Sequence, residues 1–512
     1  MRLFSPILSL ISRGHTYYML ESACYALGVP LTFFVTLYFR ISRDITYAGG
    51  VSRVGPPGVL GYIVTAFRYT FDAEAVILEG RAAFSGKPFV IPTLAGPVFL
   101  LPPKYLDVVR SSNDDVFNEP MAVDEDLQLP YTMDVHQMEN PYQARVLRTD
   151  VNRAIPSFIP EILDESNLAM TETLEVSTEG KSTIIPVFDT MTHLIARISN
   201  RVIFGVELCR NESFLHAIVR FSETAPLIAP FIRWSPSFLR RFVYFALSSV
   251  LGGKKEPLNF IVPFLRNRLG KEKELQESDE LLIAHFLLQA APSDEPLEGI
   301  AMRLMNLNFG SIHTSSIFIT QVLFELALLP QNQLDGIREE VLTALDSEGG
   351  WTKLALSKFK KIDSALREVG RVYVALPRIS MLGHDLLDGT RVPPGHRVAI
   401  DMKAVHFNPQ AYSDPDRCDL FRFSKMREDE EDNSSKYGFA TPDSSYLPFG
   451  AGRHACAGRF FAATELKIML AHILLKYDIS FPPGVMSRPA NVTFNGAIIP
   501  DRKAQMVFKR RQ

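Results

Sequence analysis

Phe449–Gly458 reads FGAGRHACAG and places a single thiol, Cys456, among Gly450, Gly452 and Gly458. A cysteine that ligates a metal as thiolate needs its lone pairs aimed at the ion and its charge supported by nearby N–H groups. Glycines let the backbone turn tightly around a sulfur. The amphipathic run that follows, RFFAATELKIMLAHILLKY, predicts a helix. Its N-terminus would bring unpaired N–H groups and a positive dipole end to Cys456. The chain has four cysteines, Cys24, Cys209, Cys418 and Cys456. None forms a C-x-x-C pair, and four are too few for a disulfide scaffold, so a reducing compartment fits.

Three other segments carry chemistry by residue type. Glu368 and Arg371 stand three apart and share one helix face. Downstream, Asp419-Leu-Phe-Arg422-Phe423 offers a second arginine. An apolar stretch from about 302 to 329 contains Phe309-Gly-Ser-Ile-His313-Thr314-Ser315. Its hydroxyl and imidazole are candidates for moving protons. Taken singly, each segment is ordinary: a cysteine in a glycine turn, a surface ion pair, a His-Thr step in a core helix.

Taken in order, they resemble the cytochrome P-450 superfamily of haem-thiolate monooxygenases, in its fungal secondary-metabolism form. The family's cysteine loop, F-x-x-G-x-R-x-C-x-G, is matched by Phe449, Gly452, Cys456 and Gly458, with His454 where arginine is usual. The family's E-x-x-R is matched by Glu368 and Arg371. Its oxygen-activation motif, [AG]-G-x-[DE]-T-[ST], is matched by Gly310, Thr314 and Ser315. Ser311 replaces its second glycine and His313 its acid.

The resemblance implies haem b (iron protoporphyrin IX), with Cys456 as axial iron ligand. It implies His454, helped by Arg453, as partner of a haem propionate. Arg145, Arg148 and Arg153 are further basic candidates, and Arg148 is favoured. Thr314 would pass protons during oxygen activation, and His313 could relay them as imidazole. Glu368, Arg371 and Arg422 would form a buried triad supporting the cysteine loop, and Cys418 is read as structural. Ala375, Leu376 and Pro377, with Gly496, Ala497 and Ile498, would face the substrate. All are apolar or small, so a lipophilic small molecule fits. The implied partners are O2, an NADPH–cytochrome reductase and a membrane. The reaction would hydroxylate or oxidise a terpenoid, steroid or polyketide-like metabolite. Two other readings remain open: a haem-thiolate isomerase or dehydratase, against which Thr314 argues, and a non-enzymatic haem protein. A requirement for NADPH separates the first from a monooxygenase.

Such a site needs a large scaffold. The 512 residues show no linker that would divide them into several cores, and 46% hydrophobic with 22% charged is globular. A net charge of -3 gives no basic field, which excludes nucleic acid as a partner. Ser22–Phe39 carries no charge. As a helix it would span ~27 Å of the ~30 Å hydrocarbon core, although Pro30 would kink it. Residues 1–53 are therefore read as a single-pass anchor with a linker, the transmembrane helix at about 22–39. Residues 54–512 are read as the catalytic domain, facing the cytosol from the endoplasmic reticulum membrane. Val54-Gly-Pro-Pro-Gly58 predicts a stiff elbow. Phe89–Leu101, broken by Pro92 and Gly96-Pro97, predicts a hairpin. Helical patterns dominate from about 140 to 380. Strands and turns follow, then one helix over Arg459–Lys476. The expected class is mainly α with small β-sheets (α+β), in the P-450 fold with an N-terminal transmembrane helix. Residues 224–251 are apolar and aromatic enough to form a core helix or a roof dipping into a bilayer. The acidic run 427–436 reads as a solvated loop. The sequons at Asn211, Asn433 and Asn491 would stay bare on a cytosolic body.

Overall fold

The computed structural model describes Tyr38, Ile41 and Ser42, then residues 50–133, 140–174, 182–269, 281–373, 380–386, 389–429 and 436–511. The proposed transmembrane helix, about 22–39, lies outside these residues apart from Tyr38. Among the described residues no helix is long and apolar enough to cross a membrane. Ala375, Leu376, Pro377 and the sequon at Asn433 also lie outside them.

Among the described residues the body is mainly helical with three sheets, of five, three and two strands. After the proline pair come α1 (Gly58–Phe71) and α2 (Ala73–Phe84), then β1 (Phe89–Ile91) and β2 (Val98–Leu101). The two strands pair antiparallel, Phe89 opposite Leu100, so the expected hairpin forms. Ser52 and Val54 bond Val90 through their backbones, which ties the chain before the elbow to β1. β3 (Phe117–Asn118) and α3 (Glu119–Leu127) follow, with Asn118 capping α3 through its side chain.

Next come α4 (Asn152–Leu174), β4 (Thr183–Pro186), α5 (Val187–Phe204), α6 (Glu212–Trp234), α7 (Arg240–Leu251) and α8 (Lys255–Leu269). The centre is α9 (Leu297–Leu326), packed against α5, α6, α8 and α11. α9 is apolar almost all round, the pattern of a helix buried on every side. α10 (Gln331–Ser347) and α11 (Lys360–Tyr373) lead to β5 (Ser380–Asp385) and β6 (Arg391–Ile400). The larger sheet runs β1-β2-β6-β5-β3, with β2 and β6 parallel. α12 (Arg459–Lys476) has the bounds expected from the sequence. β7 (Tyr477–Ser480), β8 (Asn491–Phe494), β9 (Ala497–Pro500) and β10 (Gln505–Arg510) close the chain. β8 and β9 join through Asn495-Gly496, both at positive φ (49° and 79°), the two-residue turn that suits the twist of a hairpin.

Candidate active site

Cys456 lies in a loop that folds back on itself just before α12. Its N–H donates to the Phe449 carbonyl at 2.8 Å, and Gly450 N–H donates to the Leu447 carbonyl at 2.9 Å. Gly452 has φ of 66°, and a Cβ there would sit 2.6 Å from the Arg110 carbonyl oxygen, so only glycine fits. Gly458 takes an ordinary φ of -88°. Its role is spatial: a Cβ there would meet nothing within 4 Å. Arg459 fastens the loop from the helix side, donating to the Cys456 carbonyl at 2.9 Å and to Ala440 at 3.2 Å.

The loop is anchored to α9 by an aromatic stack. Phe449 lies parallel to Phe318, with centroids 5.9 Å apart and planes 6° from coplanar, and Phe439 meets both edge-on. Phe318 is four residues beyond Thr314, and Thr314 four beyond Gly310, so the three form one stripe along α9. The stripe leads to the cysteine loop. Gly310 is exposed although Ala301–Met305 and Ser315–Ser316 are buried, and a Cβ on it meets nothing within 4 Å. The middle of this core helix therefore borders an interior space. Thr314 Oγ1 donates to the Gly310 carbonyl at 2.7 Å, which leaves its lone pairs free.

His313 is one residue round the helix and leans toward α6. It hydrogen-bonds the Val219 backbone and feels Glu223, and burial holds its pKa below the ordinary histidine value. Its Nε2 is buried with no hydrogen-bond partner.

α11 supports the loop from beneath, and the expected triad is present. Arg371 donates to Glu368 Oε2 at 2.9 Å (Nε) and Oε1 at 2.7 Å (Nη2). Arg422 Nε lies 3.2 Å from both oxygens. The Asp419 N–H adds a bond of 2.9 Å to Oε1. All three side chains are buried. The remaining guanidinium protons go to backbone carbonyls, including Pro415 at 2.7 Å from Arg371 and Arg417 at 2.9 Å from Arg422. A buried carboxylate is tolerable only when satisfied this fully.

The sequence reading missed several partners in this scaffold. Arg367, fully buried, donates to the Gly438 and Thr441 carbonyls at 2.6 and 2.7 Å, pairs with Asp443, and lies over the Tyr446 ring at 4.0 Å. Asp363 pairs with Arg427 and Lys467 and accepts from Phe439 N–H at 2.9 Å. His406 joins α11 to the loop: Nδ1 bonds the Arg371 carbonyl at 3.0 Å and Nε2 accepts from Leu447 N–H at 2.9 Å. Burial and the neighbouring Arg371 push its pKa down to about 3, so it is a neutral, fixed tautomer. Gly370 lets Tyr446 approach, since a Cβ there would lie 2.6 Å from its hydroxyl. The one available signal was the charge spacing of α11, with Asp363, Arg367 and Arg371 at intervals of four.

The basic residues gather beside the loop. His454 Nε2 donates to Asp114 Oδ1 at 2.6 Å, and Arg453 lies 3.3 Å from the same oxygen. Of the three early arginines, Arg148 reaches the loop and donates to the Arg453 carbonyl at 2.9 Å. It lies in a π-helical turn, Leu147–Val151, at the start of α4. All three arginines are exposed, and Arg148 is set apart by this bond alone.

A cavity runs from Tyr69 and Ala73 past Gly496 and Ile498 to Gly450, Ala451 and His454. Its walls are largely apolar, among them Ile77, Ile91, Leu100 and Leu106, with charged groups such as Glu119, Asp126 and Arg397; it meets the cysteine loop at Gly450, Ala451 and His454, and neither Cys456 nor Thr314 lines it.

The residues fit a flat, thiolate-ligated macrocycle. Cys456 is half-buried, Gly310 and Gly458 each leave room where a side chain would intrude, and the Phe318–Phe449 stack closes one side.

Comparison with known proteins agrees. A family model described as Cytochrome P450 matches residues 105–508. The chain is 30% identical to Cytochrome P450 monooxygenase 103 of Postia placenta over 502 residues, covering 94% of this chain and 97% of the relative. It is 29% identical to Ent-kaurene oxidase P450-4 of Gibberella fujikuroi, over 87% and 89% of the two chains. It is 30% identical to Cytochrome P450 monooxygenase olcJ of Penicillium canescens, over 85% and 83%.

Proposed function

Because the chain belongs to the cytochrome P450 family, and is an oxygenase with a haem-thiolate iron cofactor by that membership, we propose that it oxidises a lipophilic metabolite with O2 and electrons from NADPH. The observation that carries this is the stripe Gly310–Thr314–Phe318 meeting the Cys456 loop at Phe449.

Haem b would be held by Cys456 through iron, with His454, Arg453 and Arg148 as its basic surroundings, and bound haem supplies the oxidising chemistry. The protein supplies position and protons. Thr314, whose hydroxyl proton goes to the Gly310 carbonyl, would present its lone pairs to the slot and could hold a proton donor there. Neutral His313, with Nε2 free, is a second acceptor on the α6 side. Glu368, Arg371, Arg422 and His406 hold the loop so that Cys456 keeps one orientation.

The largely apolar cavity supports a terpenoid, steroid or polyketide-like substrate. A relative named for ent-kaurene oxidation favours the terpenoid. Electrons come from a flavoprotein NADPH–cytochrome reductase. The body sits on the cytosolic face of the endoplasmic reticulum, anchored by residues 1–53 and touching the bilayer through a roof. α7 buries none of its residues and, with the turn before it, exposes Phe238, Phe242, Phe245 and Val250. Leu60, Phe67 and Phe71 of α1 are exposed as well. Aromatic and aliphatic side chains of this kind bury well at a membrane interface.

The test is turnover of a terpenoid panel, ent-kaurene included, with NADPH, reductase and isotopically labelled dioxygen. Product carrying one labelled oxygen atom, formed only with NADPH, is expected. Rearrangement of a peroxide without NADPH would overturn the monooxygenase reading.

A further inference from the structure

A polar knot unused by the proposed chemistry lies three turns beyond Thr314 on α9. Glu325 accepts from the Tyr373 hydroxyl at 2.8 Å and from Arg488 Nε at 2.6 Å. Arg488 spends its other donors on Gln321, on Asn491 Oδ1 at 3.3 Å and on the Pro489 carbonyl at 2.9 Å. Gln321 Nε2 also donates to Asn491 Oδ1, at 3.0 Å. The guanidinium is sandwiched at 4.1 Å from the Tyr373 ring centre and 5.4 Å from that of Phe324. Gln321 is fully buried, and the Arg488 and Glu325 side chains are only 15% and 11% exposed.

Three segments meet here. Glu325 and Gln321 belong to the helix that carries Thr314. Tyr373 is the last residue of α11, directly before 374–379. Asn491 opens β8, the first strand of the hairpin whose Thr493, Gly496 and Ile498 line the cavity. The hairpin needs such a tether. Its strands are short and, among the described residues, pair only with each other; its tip is held to α1 by Asn495 N–H on the Thr70 carbonyl at 2.8 Å and by Phe494 edge-on to Phe71, while Arg488 holds its base to α9. A two-stranded hairpin is marginal on its own. Arg488 is pre-organised to do this, because its planar fork and two aromatic neighbours leave it little freedom to lose.

We propose that Arg488, fixed by Glu325 and Tyr373, is a positioning residue that sets the hairpin wall of the substrate cavity relative to α9, and so determines which bulky ligands fit. This rests on the haem-thiolate reading above.

The test uses two nitrogen ligands of haem iron, titrated spectroscopically into the holoenzyme: imidazole, which needs no cavity wall, and clotrimazole, which fills the cavity. Arg488→Gln and Glu325→Gln should each change clotrimazole affinity by about five- to tenfold and leave imidazole affinity within about twofold. Unchanged clotrimazole affinity, or an equal change for both ligands, overturns the positioning role. If Arg488→Gln yields no holoenzyme, Asn491→Ala, which removes only the hairpin's own acceptor, must show the same selective change or the inference fails. Wild type giving no spectral response to imidazole would sink the haem reading instead.

Discussion

Thr314 and His313 are adjacent but divided by the helix. Thr314 stands on the stripe that meets the cysteine loop, while His313 bonds α6. Thr314→Ala should keep haem and substrate binding while product per NADPH falls several-fold and peroxide rises. The loss should stop short of the ~10²–10⁴ of a full general acid, because water can replace part of a hydroxyl's role. His313→Ala should show the same defect in milder form. An unchanged ratio in Thr314→Ala, with normal product, would remove the hydroxyl from the mechanism.

At the scale of the element, α11 concentrates buried charge, and each charge holds a different stretch between 405 and 447. Glu368→Gln leaves two arginines facing a neutral amide, a change expected to cost ~3–5 kcal/mol. Denaturation of the variant should begin with haem release, since the triad's carbonyl acceptors lie on the chain leading to Cys456. Haem retained at wild-type denaturant concentration would detach the triad from the loop. The triad was legible only through the family resemblance: the i,i+3 spacing puts Glu368 and Arg371 on one helix face, and the resemblance alone assigns Arg422 to them. Arg367, Asp363 and His406 were not. Each acts on partners 35 to 104 residues away, backbone groups for His406 and Arg367 and the Lys467 ammonium for Asp363, and no local pattern encodes such pairing. The hairpin at 89–101 and α12 were legible because proline, glycine and apolar periodicity act locally. The roof was half legible. Its apolar character stood in the sequence, but only the fold separates α6, with Ile228 and Ile232 buried, from α7, which buries nothing. Phe242→Ser with Phe245→Ser should reduce membrane binding of a chain beginning at Gly50 without altering its haem spectrum. Undiminished binding would count against the roof.

The whole molecule carries buried groups that oppose each other as pH changes. Burial raises the Glu465 carboxyl to about 8 from 4.5. The folded state then holds a proton the unfolded state has lost, so stability falls as pH rises from 4.5 to 8. Burial lowers His406 to about 3 from 6.5, so its contribution is complete above pH 6.5 and is lost as pH falls toward 3. Each effect reaches at most ~1.4 kcal/mol per pH unit inside its window. Melting temperature should therefore peak in mildly acidic solution. Glu465→Gln, which keeps an uncharged group beside Ser199, should flatten the alkaline side alone. A parallel decline in variant and wild type would show that Glu465 does not bear it.

The expectations for Thr314, His313 and the triad presuppose that Cys456 is the thiolate ligand of haem iron. The most direct measurement is the ferrous–carbon monoxide spectrum of the wild type and of Cys456→Ser. The wild type should show the red-shifted Soret band of a thiolate-ligated haem, and the serine variant should lose it. A serine variant that keeps the band would contradict the account at its centre.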